Sequence, residues 1–258
     1  MSSEISIADV GLLTTSAFAA ALVAGIAGFA FGLVAAAAWL HFLSPAESAA
    51  LILGLGAVVQ GVAVWKLRRA VLLSRLWPFV VGGALGVPLG AELLRWVEPQ
   101  ILRAATGIVL VGYCAYVLIS ARLPAVPGAG RLADGGVGIA SGVLGGATGL
   151  SGILPTVWCQ IRGWPKDQQR AVFQPVAVVI HLLAAIYLGA VGLIGERTIA
   201  LFALALPAVL AGTWVGLKVY GGIGDATFRR VVLALLLISG IALVVQFPLS
   251  VSCWECAE

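Results

Sequence analysis

Residues Gly135–Pro155 read GGVGIASGVLGGATGLSGILP, the most glycine-rich apolar stretch of the chain. It is apolar enough for a bilayer, yet eight of its 21 residues are glycine. An interior glycine costs a helix about 1 kcal/mol relative to alanine, so one continuous lipid-facing helix would not have this composition. Inside membranes, glycines bring helices close together or let the backbone unwind beside a polar cavity. We interpret the stretch as a broken, re-entrant element at a solute site, with close helix packing as the alternative.

The composition of the whole chain indicates a multi-pass helical membrane protein. The 258 residues are 61% hydrophobic and 10% charged, with a mean hydropathy of +1.10. A soluble domain carries about 25% charged residues. The net charge of +4 arises from basic residues in short loops, which is typical of a membrane protein and predicts no nucleic-acid partner. The N-terminus has Glu4 and Asp9 but no early basic residue, so we expect no secretory signal peptide.

Loop charges assign the two sides of the membrane. Basic loops at 66–75, 122–131, 162–170 and 218–230 are predicted to be cytoplasmic, while 41–47, 190–197 and both termini are predicted to lie outside. The loop at 95–103 is ambiguous by charge and is placed outside by connectivity. With this assignment, segment 10–42 must start and finish on the same side of the membrane, and so must segment 135–161.

We therefore predict an all-α fold of two inverted repeats. Each repeat is a glycine-broken hairpin of two shortened helices followed by three transmembrane helices. The first half covers 1–121, the second covers 135–258, and 122–134 is a cytoplasmic linker. The first hairpin opens outward and the second inward, and such duplicated, glycine-interrupted segments point to a secondary transporter.

Three motifs recur in the same order in both halves. Each alone is a weak match, but their common order supports a duplication. The matched pairs are Gly25-x-x-Gly28-x-x-x-Gly32 with Gly142-x-x-Gly145-x-x-x-Gly149, Pro45-Ala46-Glu47 with Pro165-Lys166-Asp167, and Gly86-x-x-x-Gly90 with Gly212-x-x-x-Gly216, the last pair being followed at equal spacing by Arg103 and Arg229.

With these features the chain resembles the TauE/SafE family of sulfite exporters and anion permeases, from about Val10 to Val245. The resemblance is carried by the two-half layout, Gly142–Gly152 with Pro155 after it, Trp164-Pro165 before Ala171, and the Gly-x-x-x-Gly motifs followed by a basic residue. It implies transport of a small anion, such as sulfite or an organosulfonate, across the bacterial inner membrane. The first half departs from the family pattern, because Gly28-Phe29-Ala30-Phe31-Gly32 stands where the family often has three consecutive glycines.

Three polar residues share one face of the helix that follows the glycine-rich stretch. Arg170, Gln174 and His181 are spaced i, i+4 and i+11, and all three side chains can donate hydrogen bonds to an oxyanion. Polar groups inside a membrane are costly, which makes them candidate substrate ligands. The alternatives are that Arg170 is a snorkelling anchor at the cytoplasmic surface and that His181 is a packing residue.

The glycine breaks supply the other candidate ligands. Thr148 and Ser151 lie at the second break, where helix N-termini would present free N–H groups to an anion. Back-bonding of these hydroxyls to helix carbonyls is the alternative. Gln60 aligns beside His181 across the repeat, and it is either a ligand or interhelical glue. The remaining candidates are Gly145, Gly146 and Gly149 as unwound backbone, and Gly28, Phe29 and Gly32 of the first hairpin, where Phe29 and Phe31 form an apolar wall.

Other functions remain open at this stage. Gly149-Leu150-Ser151-Gly152 matches the G-x-S-G of intramembrane serine hydrolases, with His181 as the base. An anion channel is a further alternative, although no filter motif or ring of charges is present. The chain has no ATP-binding motif, so we expect coupling to a proton or sodium gradient and no cofactor. A homodimer is a further expectation, and Cys253 and Cys256 suggest a tail disulfide or a free pair rather than a metal site.

Overall fold

The computed structural model describes residues 7–93, 99–120, 126 and 128–255. All regular structure within these ranges is helical, and five helices are long and apolar enough to cross a bilayer: α1, α3, α8, α9 and α10. The predicted multi-pass helical architecture is confirmed. The α-helices are α1 (Ile7–Ala27), α2 (Phe31–Trp39), α3 (Pro45–Leu67), α4 (Leu73–Leu93), α5 (Pro99–Ser120), α6 (Arg131–Thr148), α7 (Ile153–Ile161), α8 (Lys166–Ala190), α9 (Glu196–Gly222) and α10 (Asp225–Glu255), with a short 3-10 helix at Arg68–Ala70.

Both predicted breaks are present, but the hairpin arms are unequal. α1 has 21 residues, about 31 Å at 1.5 Å per residue, whereas α2 has nine. α6 has 18 residues and α7 again has nine. The expectation of two shortened helices is therefore wrong for α1. The physical reason is that Gly25 lies inside α1 and packs against α9, so the chain is interrupted only after Ala27.

A tryptophan on each short arm is hydrogen-bonded to the long arm beside it. Trp39 Nε1 donates to Ser16 Oγ at 2.9 Å in the first hairpin. Trp158 Nε1 donates to Asp134 Oδ1 at 2.8 Å in the second. These bonds join residues far apart in sequence, so each short helix runs back along its long partner as a hairpin.

The two halves pack against each other through corresponding helices. The most extensive contacts join α4 to α6 and α1 to α9, and further contacts join α3 to α8 and α5 to α10. Two intertwined copies related by an approximate two-fold axis would have this pattern. The inverted orientation of the halves in the membrane stays a prediction, as does the division at 122–134. α6 begins at Arg131, inside the predicted linker, and Arg103 lies in α5 rather than in the preceding loop.

Glycines make the closest helix crossings, and they correct the alignment of the two halves. A Cβ added at Gly25 would lie 2.8 Å from Gly216 Cα, and one added at Gly142 would lie 2.8 Å from Gly86 Cα. Gly86 therefore corresponds to Gly216, one helical turn away from the sequence-based match of Gly86 with Gly212. Glycine recurs every four residues along these helix faces, so two alignments that differ by one helical turn match the sequence equally well.

Polar residues fix the starts of α3 and α8, which lie inside the loops predicted at 41–47 and 162–170. Ser44 and Glu47 form a capping box around the N-terminus of α3. The first backbone N–H of α8 donates to Asp225 from the start of α10. Cys114 and Cys159 are buried free thiols, whereas the side chains of the tail cysteine pair lie outside the described part of the chain.

Candidate functional site

The first break is held open by a side chain from α3. Gly28 has a φ of 93°, in the left-handed region that favours glycine. Its carbonyl accepts a 2.7 Å hydrogen bond from Nε2 of Gln60, which is 2% exposed. A carbonyl released from a broken helix needs a partner inside a membrane, and Gln60 supplies it.

The second break has the same construction with different residues. Gly149 has a φ of 75° and ends α6. Ser151 Oγ lies 3.2 Å from His181 Nε2, and Ser141 Oγ donates to the Ser151 carbonyl. Gln60 and His181 occupy the same position counted from the first residues of α3 and α8. Each half therefore uses one side chain of its third helix to support its own break.

The two breaks meet around one small cavity. A Cβ added at Gly152 would lie 3.0 Å from Phe29 Cβ, so the tips of the hairpins are in contact. The enclosed volume is about 10 Å³, which is close to the minimum for one water molecule. A sulfite-sized anion needs the hairpins to separate. The lining residues are Phe29, Phe31, Gly32, Leu33, Gln60, Gly149, Leu150, Ser151, Gly152, Ile153 and His181.

Two helix N-termini point to this cavity. Residues 31–33 form the first turn of α2, and Ile153 is the first residue of α7. Neither N-terminus has a side-chain cap from its N-cap residue, Ala30 or Gly152. The first N–H groups of a helix lack partners within the helix and carry the positive end of its dipole. The cavity thus receives N–H donors from both halves, an arrangement suited to binding an anion.

Arg170 does not line this cavity and is not a surface anchor. The side chain is fully buried, and its Nη1 donates to the Gly25 carbonyl at 2.8 Å and to the Ile26 carbonyl at 3.4 Å. The guanidinium also stacks on Tyr220, with Cζ 4.1 Å from the ring centroid. Arg170 of the second half therefore caps the C-terminus of α1 in the first half. The snorkelling alternative is wrong, because the guanidinium is buried and donates to carbonyls of α1 rather than extending to water.

The remaining candidates lie around the cavity rather than in it. Gln174 is fully buried, and neither amide atom has a hydrogen-bond partner among the described residues. Gly145 lies against Ser151 and Ile180, and Gly146 packs on Val87 of α4. Thr148 is the last residue of α6, and its side chain is outside the described part.

One polar residue beside the cavity was not singled out from the sequence. Ser141 supports the second break by donating to the Ser151 carbonyl. Phe31, part of the predicted apolar wall, lines the cavity and packs edge-on against Trp39, with the ring centroids 6.0 Å apart. Ser141 lies ten residues before Ser151, and the chain between them leaves the helix at Gly149, so helical spacing could not predict their contact. The one sequence signal for Ser141 was a hydroxyl within a glycine-rich apolar helix.

The Ser151–His181 contact bears on the hydrolase alternative. A serine activated by histidine is the minimum for nucleophilic catalysis. Within the described ranges, however, His181 Nδ1 has no hydrogen-bond partner, so no carboxylate is bonded to it as in a catalytic triad. The cavity also has no room for a peptide or ester. The geometry equally suits a pair of hydrogen-bond donors to an anion.

Comparison with known proteins gives one finding. The family model described as Sulfite exporter TauE/SafE matches residues 13–243, which is nearly the whole chain. Neither the curated proteins nor the solved structures include a significant match.

Proposed function

Because this chain belongs to the TauE/SafE sulfite exporter family, we propose that it moves a small oxyanion through the cavity between the two hairpin tips. The family is one of membrane transporters rather than enzymes, so the hydrolase alternative has no support. The finer assignments are part of the proposal: sulfite, an organosulfonate or a related sulfur anion as substrate, an ion gradient as the driving force, and the bacterial inner membrane with both termini outside.

The convergence of α2 and α7 on one cavity carries the proposal. Their free N–H groups come from opposite halves, so an anion held between them contacts both. Ser151 and His181 add side-chain donors, while Phe29 and Phe31 close the opposite wall. A charge held by dipoles and neutral donors is released more readily than one held by a lysine or arginine, as a carrier requires.

Alternating access follows from the same geometry. The cavity is closed when Phe29 meets Gly152, and a relative shift of the two hairpins would open it. Each hairpin is a stiff unit because its short arm is tied to its long arm by a tryptophan. We therefore propose that the hairpins and their partner helices move against each other as bodies.

The test is uptake of sulfite and of methanesulfonate by proteoliposomes. Replacing Ser151 by Ala removes one hydroxyl donor to the anion, and a charge-assisted hydrogen bond is worth about 1.5–3 kcal/mol. We expect an increase in KM of about ten- to a hundredfold. The matched control is Ser48→Ala, since Ser48 is a buried serine of α3 outside the cavity.

Two results would count against the proposal. Equal KM values for Ser151→Ala, Ser48→Ala and the unmodified protein would remove Ser151 from the site. Flux that neither saturates nor shows counterflow would indicate a channel rather than a carrier. Gln174→Ala tests separately whether a buried amide outside the closed cavity becomes a ligand when the hairpins part.

A further inference from the structure

The sequence contains three lysines, and all three line a single cavity. Lys66 lies at the end of α3, Lys166 at the start of α8 and Lys218 near the end of α9. The cavity has a volume of about 350 Å³ and lies at the end of the bundle that loop charge predicts to be cytoplasmic. Three separate helices thus bring every ammonium group from a lysine to one place.

The charges of this cavity favour an anion. Asp167 is the acidic residue in the described lining, and its carboxylate accepts a hydrogen bond from the Tyr220 hydroxyl. Lys166 Nζ is held by the Tyr220 and Ile223 carbonyls. Asp225 lies near Lys166 and accepts its backbone N–H. Lys66 and Lys218 are both exposed. The Lys218 ammonium lies over the Trp214 ring, 3.6 Å from its centroid, and keeps its hydrogen-bond donors for a ligand.

A buried cation lies directly beneath this cavity. Tyr220 is 4% exposed and forms part of the cavity lining. The Arg170 guanidinium stacks on its ring, and Arg170 Nε and Nη2 have no hydrogen-bond partner among the described groups. Beyond Arg170 lies the first hairpin tip, because Nη1 bonds the last carbonyls of α1. Positive groups therefore continue from the surface cavity toward the central one.

We propose that the three-lysine cavity is a second oxyanion site, where the transported anion loads before it passes Tyr220 to reach Arg170 and the hairpin tips. This inference rests on the proposed function. Lys66 and Lys218 bind the anion, Lys166 fixes the end of α9, and the hydrogen bond from Tyr220 to Asp167 keeps the passage closed. Opening requires the Tyr220 ring to leave the Arg170 guanidinium.

Because no lysine lies elsewhere, lysine labelling reports on this cavity alone. Purified protein in phosphatidylcholine nanodiscs is acetylated with an N-hydroxysuccinimide ester, and each site is read by peptide mass spectrometry. We expect millimolar methanesulfonate or sulfate to slow labelling of Lys66 and Lys218 several-fold compared with chloride at equal ionic strength. Lys166 should label slowly throughout, because its ammonium already donates two hydrogen bonds, and the N-terminal amine should not respond.

Labelling also distinguishes a soluble oxyanion from a lipid headgroup as the occupant of the cavity. Absence of protection by either soluble anion would overturn the inference. Protection that appears only when the nanodiscs contain phosphatidylglycerol would also overturn it, because the occupant would then be a lipid headgroup. Protection of Lys66 and Lys218 by the soluble anions in phosphatidylcholine supports it.

Transport kinetics test whether the site loads the substrate. For flux from the predicted cytoplasmic side, the double variant Lys66→Gln/Lys218→Gln should raise KM about tenfold and leave kcat nearly unchanged. The Lys→Arg pair should keep the KM of the unmodified protein, and Arg69→Gln controls for general surface charge. An unchanged KM in the glutamine pair would overturn the loading role.

The failures of the two proposals are distinguishable. If uptake saturates but no anion protects the lysines, the proposed loading site is wrong and the proposed central site is unaffected. In Ser151→Ala, impaired uptake with intact lysine protection is the result expected if both sites exist and are separate.

Discussion

The α4–α6 crossing allows a quantitative test of the packing that positions the second hairpin. The perturbation is Gly142→Ala. The new Cβ would lie 2.8 Å from Gly86 Cα and 2.9 Å from the Gly83 carbonyl carbon, and closer still to the Gly83 oxygen. Carbon atoms pack best at about 3.5–4.0 Å, so the helices have to separate by about 0.7 Å or more.

The magnitude follows from two opposing effects. Overpacking in a tight core typically costs about 1–3 kcal/mol. Alanine in place of glycine returns up to about 1 kcal/mol of helix propensity. Taking about 2 kcal/mol for the overpacking, the middle of its range, the net destabilisation is about 1–2 kcal/mol. Each kcal/mol lowers Tm by about 2–4 °C in a chain of this size, so we expect a decrease of roughly 2–8 °C.

The matched control lies in the same helix. Gly136 of α6 is exposed, and a Cβ there would meet no heavy atom within 4 Å. Gly136→Ala should leave Tm unchanged or raise it by a few degrees, because only the propensity gain of up to about 1 kcal/mol applies. Thermal unfolding in detergent, followed by tryptophan fluorescence, measures both variants. Equal Tm values for the two variants would refute the claim that backbone contact at Gly142 sets the α4–α6 spacing.

Two further predictions concern contacts across the bundle. Arg170→Lys should lower Tm, because an ammonium cannot stack on Tyr220 as the planar guanidinium does while also donating to the Gly25 and Ile26 carbonyls, which both accept from Nη1; a Tm equal to that of the unmodified protein in the same fluorescence assay would contradict a capping role for the guanidinium. Ser16→Ala should cost about 0.6 kcal/mol, the average for a hydrogen bond between membrane helices, because it removes the acceptor of the Trp39 Nε1 bond without leaving a cavity at the buried ring. Thr15→Ala is its control, since that hydroxyl bonds carbonyls of its own helix, and an equal loss of stability in both would show that the bond to Trp39 does not hold the hairpin together.

Sequence alone was sufficient for the helical membrane class and for the location of both breaks. These features depend on residues close together in the sequence. Apolar runs form the crossing helices, glycines adopt the left-handed backbone angles at the breaks, and Ser44 and Pro165 begin helices. The alignment also placed Gln60 beside His181, and each of the two supports one break. The pairing emerged because Gln60 and His181 lie equally far from the first residues of α3 and α8.

The tertiary structure decided how distant segments meet. A four-residue glycine repeat allows neighbouring registers, and only the packed helices show that Gly86 lies on Gly142. Helical spacing places Arg170 on the same face as Gln174 and His181. It does not predict the partners of Arg170, which are carbonyls of α1 in the other half of the chain. The three lysines look like ordinary loop charges in sequence, and only folding brings them to one cavity. The physical reason is the same in each case: helix formation depends on neighbours along the chain, whereas a site depends on which helix faces the polar group after packing.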